Sequence, residues 1–142
     1  MGKPSVWDIW TLSFELSRSV LAEVEADVRQ HGLETKELFL LDKLDDNPHP
    51  ADLARALILP KPSITFMVKR MEGLGFVQRE TVAGDLRRFR LTLTPAGRRT
   101  LESARALLDK AFARRLARLS AAERAELIRL LVRLGEERPA PA

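Results

Sequence analysis

The sequence predicts a mainly α chain interrupted once by a small β-hairpin. Three observations lead there. Leu, Ala and Val dominate the apolar residues beside many Arg and Glu, with no Tyr, a balance that favours helices. Apolar residues recur at helical spacing along most of the 142 residues, and the period falls to two only from Phe76 to Leu93. Pro50, Gly75, Pro95 and Gly135 stand at the boundaries of those stretches, where chain breakers belong. With 45% hydrophobic content, a chain of this length builds one core, so residues 1–142 are expected to form a single folded unit.

The first helix spans about 5–29. Its apolar residues, from Val6, Ile9 and Trp10 to Val24 and Val28, cover a wider arc than one core-facing stripe requires, so it is expected to have two neighbours. His31-Gly32 breaks the pattern, and Thr35 opens a second helix with Leu38, Phe39, Leu41 and Leu44 at helical spacing, closed by Asp45-Asp46-Asn47-Pro48. Pro50 suits the first turn of a short third helix that turns Leu53, Ala54, Leu57 and Ile58 inward, with His49 as its start residue. Leu59-Pro60-Lys61-Pro62 makes a turn. A fourth helix then runs from Pro62 or Ser63 to Leu74, burying Ile64, Met67, Val68 and Met71 and ending at Gly75.

Strands are expected at Phe76 to Thr81 and Arg88 to Leu93, joined by Val82-Ala83-Gly84-Asp85; Phe89, Leu91 and Leu93 share one face, and Arg88, Arg90 and Thr92 the other. Thr94-Pro95 starts a helix of more than twenty residues, and Ser120-x-x-Glu123 has the form of a capping box opening a last helix that stops at Gly135.

Composition excludes several functions. Without cysteine there is no disulfide framework, thiolate zinc site or thiol switch, and with two histidines no dedicated transition-metal site is expected. No cofactor is expected either. No apolar run reaches the length of a membrane span, so a soluble cytoplasmic protein is expected. The sequence holds no nucleophile elbow, phosphate-cradling glycine loop or metal-ligand motif, which argues against an enzyme. Charge is uneven: residues 1–59 hold 6 Lys and Arg against 11 Asp and Glu, residues 60–99 hold 9 against 3, and residues 100–142 hold 9 against 6. The middle, at +6, is where a polyanion would bind.

Two helices around a tight turn at about 50–75, followed by a hairpin wing at about 76–93, make a winged helix-turn-helix lobe, flanked by helices at about 5–29 and 95–135 suited to dimerisation. Leu53-Ala54, Ser63-Ile64-Thr65, Val68, Arg70-Met71, Gly75-Phe76-Val77 and Arg79, then Asp85-x-Arg87, Leu93-Thr94 and Gly97, resemble in order and spacing the MarR family of bacterial regulators over almost the whole chain. Two features depart from that family: Phe66 stands where a polar or basic residue is common, and Lys61-Pro62 is an unusual start for the recognition helix.

In such a lobe the second helix enters the major groove of double-stranded DNA, its first turns nearest the bases. By elimination from the buried face, Ser63, Thr65, Phe66 and Lys69 point outward. Lys69 or Arg70 reaches a guanine edge or a phosphate, with phosphate favoured for Arg70 and Lys61 and an ion pair as the alternative for Arg70. Phe66 either presses on a thymine methyl or packs internally. In the wing, Arg87, Arg88 and Arg90 suit a narrow minor groove, with Arg87 first because it also fills the family's arginine position. Asp85, which phosphates would repel, is assigned to holding the wing tip.

The wide apolar arc of the first helix and the strongly apolar last helix predict a two-fold homodimer reading a pseudopalindrome with half-sites about 34 Å apart. The resemblance further implies a small, often aromatic or phenolic, effector where the dimer helices meet the DNA-binding lobe. Trp10, Phe14, His31 and Phe39 are candidate lining residues, with plain core packing as the alternative. Two rival readings are a winged-helix module that binds protein and a constitutive DNA-binding protein without ligand response.

Overall fold

The computed structural model describes residues 2–136, and at the wing tip it describes the backbone but not the side chains of residues 82 and 85–88. The elements run α1 (Val6–Gln30), α2 (Thr35–Leu44), α3 (Pro50–Leu57), α4 (Lys61–Gly73), β1 (Val77–Val82), β2 (Asp85–Leu93), α5 (Pro95–Leu116) and α6 (Ala121–Gly135). The expected mainly α, winged helix-turn-helix architecture is present.

Local chemistry fixes most boundaries. Ser5 caps α1 reciprocally with Asp8, and Ser120 caps α6 with Glu123, as its capping-box pattern predicts. Thr94 accepts from the Gly97 amide at the start of α5, with Pro95 in the first turn. Glu34 and Glu37 close a capping box on α2. Helix α4 starts at Lys61, slightly earlier than expected, with Pro60 in extended conformation ahead of it.

The core is built from α2, α3 and α4, the inner residues of the hairpin, and the facing sides of α1 and α5. Leu40, Leu41, Leu44, Leu53, Ile64, Met71 and Leu91 are almost fully buried, each contributing roughly 1.5–3 kcal/mol of apolar burial. Val20, Val24 and Val28 seat the second half of α1, while Leu101, Ala104 and Ala111 do so for α5. Small residues at 104 and 111 allow close approach, and ion pairs from Arg114 and Arg115 to Glu23 flank that packing.

One buried expectation fails. Ile58, expected to face inward, is 89% exposed and holds a left-handed backbone (φ 53°) at the C-cap of α3. The chain must reverse there to start α4, and the cap geometry outranks the side chain's preference for the core.

The hairpin is a two-stranded antiparallel sheet pairing Val77 with Leu93, Arg79 with Leu91 and Glu80 with Arg90. The register shifts between Thr81 and Val82, so the pairing slips at the tip. Phe89, Leu91 and Leu93 pack inward as expected. Thr92, assigned to the outer face, is half-buried, and its hydroxyl oxygen is enclosed without a hydrogen-bond partner. The α2–α3 loop reinforces β2, because Leu91 donates its amide to the Pro48 carbonyl at 2.8 Å.

Two apolar faces remain open. In the first half of α1, Val6, Trp7, Ile9, Trp10, Leu12 and Phe14 are all exposed. In α6 no residue is buried, although Ile128, Leu131, Val132 and Leu134 are each more than half exposed.

Candidate nucleic-acid interface

Helix α4 is anchored by one face and open along the other. Ile64, Met67, Val68 and Met71 are buried, as their spacing predicts. At 100° per residue the opposite line of the helix carries Pro62, Phe66, Lys69 and Gly73, and all four are exposed. Lys61 and Thr65 flank that line on one side and are exposed too, while half-buried Ser63 lies on the other. The Thr65 hydroxyl donates back to the Lys61 carbonyl at 3.1 Å, which fixes its rotamer and leaves its oxygen free to accept.

Phe66 is 68% exposed, which removes the internal-packing alternative. Its ring stands at the rim shared by two shallow clefts on the α2 side of α4, one of 390 Å³ reaching Leu33, Met67 and Arg70, the other of 370 Å³ reaching Lys36, Leu59 and Ser63.

The phosphate assignment of Arg70 is corrected by the structure in favour of the ion pair. Its guanidinium donates to both carboxylate oxygens of Glu37, at 2.7 and 3.0 Å, and to the Gly32 carbonyl at 2.9 Å. The Glu37 side chain is 2% exposed, and the charge-assisted fork occupies the Arg70 guanidinium on that flank of α4. The hydrogen bond from Arg70 to Glu37, then the charge of Glu37, raise the guanidinium pKa further above its ordinary value. This fork ties the recognition helix to the α1–α2 junction.

Sequence reasoning missed Glu37. A glutamate at the third position of a helix is ordinarily a solvated cap, and the one local signal that could have drawn notice is the spacing Glu34-x-x-Glu37; nothing local shows that α4 lies across it.

At the wing, Arg90 is exposed and stands opposite Glu80 in the strand register. The side chains of Asp85, Arg87 and Arg88 lie outside the described residues. The base of the wing is rigidly joined to α4: Arg79 reaches Glu72 at 2.7 Å and lies 4.3 Å over the Phe89 ring, a contact combining ion pair and cation–π attraction. On the opposite strand edge, the His49 ring nitrogen Nδ1 lies 3.3 Å from the Phe89 carbonyl oxygen.

The candidate effector residues are spread apart. Trp10 and Phe14 stack along exposed α1 with ring centroids 6.1 Å apart. His31 is exposed at the α1 C-cap. Phe39 lines a 140 Å³ cleft between α2 and α5 with Leu101, Arg105 and Leu108. Among the described residues, no group of three or more His, Asp or Glu side chains is placed to hold a metal ion, and no helix is long and apolar enough to cross a membrane.

No model of a protein family matches the chain. The HTH-type transcriptional repressor Rv2887 of Mycobacterium tuberculosis is 30% identical over 128 residues, which is 89% of this chain and 92% of the repressor. The crystal structure of Rv2887, a MarR family protein in complex with salicylic acid, aligns at a TM-score of 0.73 and 29% identity over 94% of this chain and 98% of that one. Two more distant structures share the fold. The MarR family transcription regulator SP03579 aligns at a TM-score of 0.79 and 21% identity, over 91% of this chain and 87% of that one. The Staphylococcus aureus MepR–DNA complex aligns at 0.74 and 20%, over 87% and 93%. By its recognition helix, its wing and its kinship with a curated repressor across nearly its full length, the chain belongs to the MarR family of transcriptional regulators, which are not enzymes.

Proposed function

We propose that the chain is a cytoplasmic repressor that binds a pseudopalindromic operator as a homodimer and is released by a small aromatic ligand. The observation that carries this reading is the outer face of α4, exposed over its whole length and bearing Lys61, Thr65, Phe66 and Lys69 in the segment that holds the excess of positive charge. Lys61 sits at the first helical position and faces a phosphate; Ser63, Thr65, Phe66 and Lys69 approach base edges. Arg87 enters the minor groove, supported by Arg88 and Arg90, while Asp85 holds the tip. Arg70 acts indirectly, by fixing the angle of α4 through Glu37.

The open faces of α1 and α6 supply the dimer contact, since apolar surfaces of that extent are covered in a stable fold. The salicylic acid held by Rv2887 supports an aromatic acid as the ligand class. Trp10 and Phe14 stand on exposed α1, and Phe39 and His31 near the α2 lobe, so association of two chains would bring such a pocket together.

The test is fluorescence anisotropy with DNA from upstream of the protein's own gene, comparing the parent with Arg87→Ala at 50 and 200 mM salt. A dimer making 6–10 phosphate contacts loses about 10³–10⁵ in affinity between those concentrations, and the substitution weakens binding at both. Affinity no better than for random DNA, or indifferent to salt, would point to a protein partner instead.

A further inference from the structure

We infer that Phe66 reads the C5-methyl group of a thymine in each operator half-site, making this chain's base preference partly apolar. The inference rests on the DNA-binding reading above and adds the chemistry of one contact. A phenylalanine is 68% exposed at the centre of the outermost line of α4, between Pro62 and Lys69. Exposing a ring there forgoes the burial that inward-facing aromatics gain, and its position one turn in from the helix start is where recognition helices meet base edges. The groove side of a base pair offers a phenyl ring one apolar partner, the thymine methyl, since the other groups displayed there are hydrogen-bond donors and acceptors.

The surroundings favour DNA over an apolar protein surface as the occupant. Lys69 shares the exposed line of α4 with the ring and Lys61 is exposed at the helix start; a polyanion neutralises these ammonium groups, whereas an apolar protein face leaves them buried and unpaired. The ring borders two clefts that share Met67 in their lining, with Leu59 in the second.

The experiment uses a duplex recovered by selection from random-sequence DNA, made once with thymidine and once with deoxyuridine throughout. That exchange deletes the methyl groups and leaves every hydrogen-bonding group and phosphate in place. Affinities are measured by anisotropy for the parent, Phe66→Ala and Phe66→Leu, with circular dichroism to verify that each variant is folded; an exposed ring can be removed without opening the core. Covering one methyl accounts for about a fourfold change in affinity, so two half-sites give roughly fifteenfold. The parent should bind the thymine duplex about fifteenfold more tightly than the uracil duplex, Phe66→Leu should keep part of that preference, and Phe66→Ala should bind both alike. Equal binding of the two duplexes by the parent overturns the inference, and so does a methyl preference that survives unchanged in Phe66→Ala. Failure to select any duplex over random DNA would instead overturn the DNA-binding reading itself, and this contact with it.

Discussion

Gly97 stands so close to Phe76 that a Cβ added to it would lie 2.0 Å from the Phe76 carbonyl oxygen. Two further contacts lock the same joint: Thr94 donates its amide to that carbonyl at 3.0 Å and its hydroxyl to the Gly75 carbonyl at 2.5 Å. The start of α5 is thus bolted to the turn between recognition helix and wing, backbone against backbone. Gly97→Ala should therefore destabilise the protein by about 3 kcal/mol, because rigid backbone must move, and this outweighs the gain of roughly 1 kcal/mol that alanine brings to a helix. Thermal unfolding should show a midpoint lower by about 10 °C. An unchanged midpoint would mean the joint is looser than its geometry.

The ion pair of Arg70 and Glu37 is lopsided, with side chains 40% and 2% exposed. Removing one partner strands the other, so the two deletions should differ. Arg70→Met leaves a carboxylate enclosed and should cost about 3 kcal/mol. Glu37→Gln keeps an acceptor for the Glu34 amide and leaves an arginine that can turn to water, costing about 1 kcal/mol. Urea denaturation of both variants checks the order, and equal costs would refute the asymmetry.

Ile58 holds a left-handed backbone with its side chain 89% exposed, so it is strained without gaining burial. A left-handed residue with a Cβ costs roughly 1–2 kcal/mol, and more readily accommodated side chains such as asparagine recover part of it. Ile58→Asn should raise the urea midpoint by the equivalent of about 1 kcal/mol with the same denaturant slope. A lower midpoint would show that the isoleucine makes a contact in solution that offsets its strain.

Acid should loosen the start of α6. The Ser120 backbone amide, then its hydroxyl, hold the Glu123 carboxyl below its ordinary 4.5. A group depressed on folding stabilises above its unfolded value and loses that contribution as pH falls through the folded one. Hydrogen exchange of the first-turn amides of α6 should therefore be slow at pH 6 and accelerate, relative to the intrinsic rate, once pH drops below 4.5. Ser120→Ala should remove most of that pH dependence; if the dependence stays, the cap is not its cause.

How much of this was legible from the sequence depended on whether the cause was local. Caps are local: Ser120-x-x-Glu123 and Thr94-Pro95 announced their helices. So did the buried face of α4, because Ile64, Met67, Val68 and Met71 repeat at the helix period; the exposure of Lys69 followed from it, while Phe66 stayed open to internal packing. Arg70 was harder, since its partner lies 33 residues away on α2 and pair formation depends on how two helices cross. Ile58 failed because periodicity is blind to where a helix must stop; its side chain reads as core while its backbone is needed for the reversal. Thr92 keeps the strand alternation expected of it, but the enclosure of its hydroxyl is something alternation alone does not encode. The candidate effector residues were the least legible, because the structure spreads Trp10, Phe14, His31 and Phe39 over α1, its C-cap and α2 without gathering them around one cavity.

Helix α6, fifteen residues none of which is buried in its own chain, has one more consequence. Isolated helices of that length are marginal in water, so a cap alone holds it weakly. In the proposed dimer its order is governed by mass action: dilution would melt it before the DNA-binding lobe, and helicity measured at nanomolar and at micromolar chain should differ. The amount of this protein in a cell would accordingly set how many molecules possess their final helix at all, giving a regulator whose competence to act depends on its own abundance.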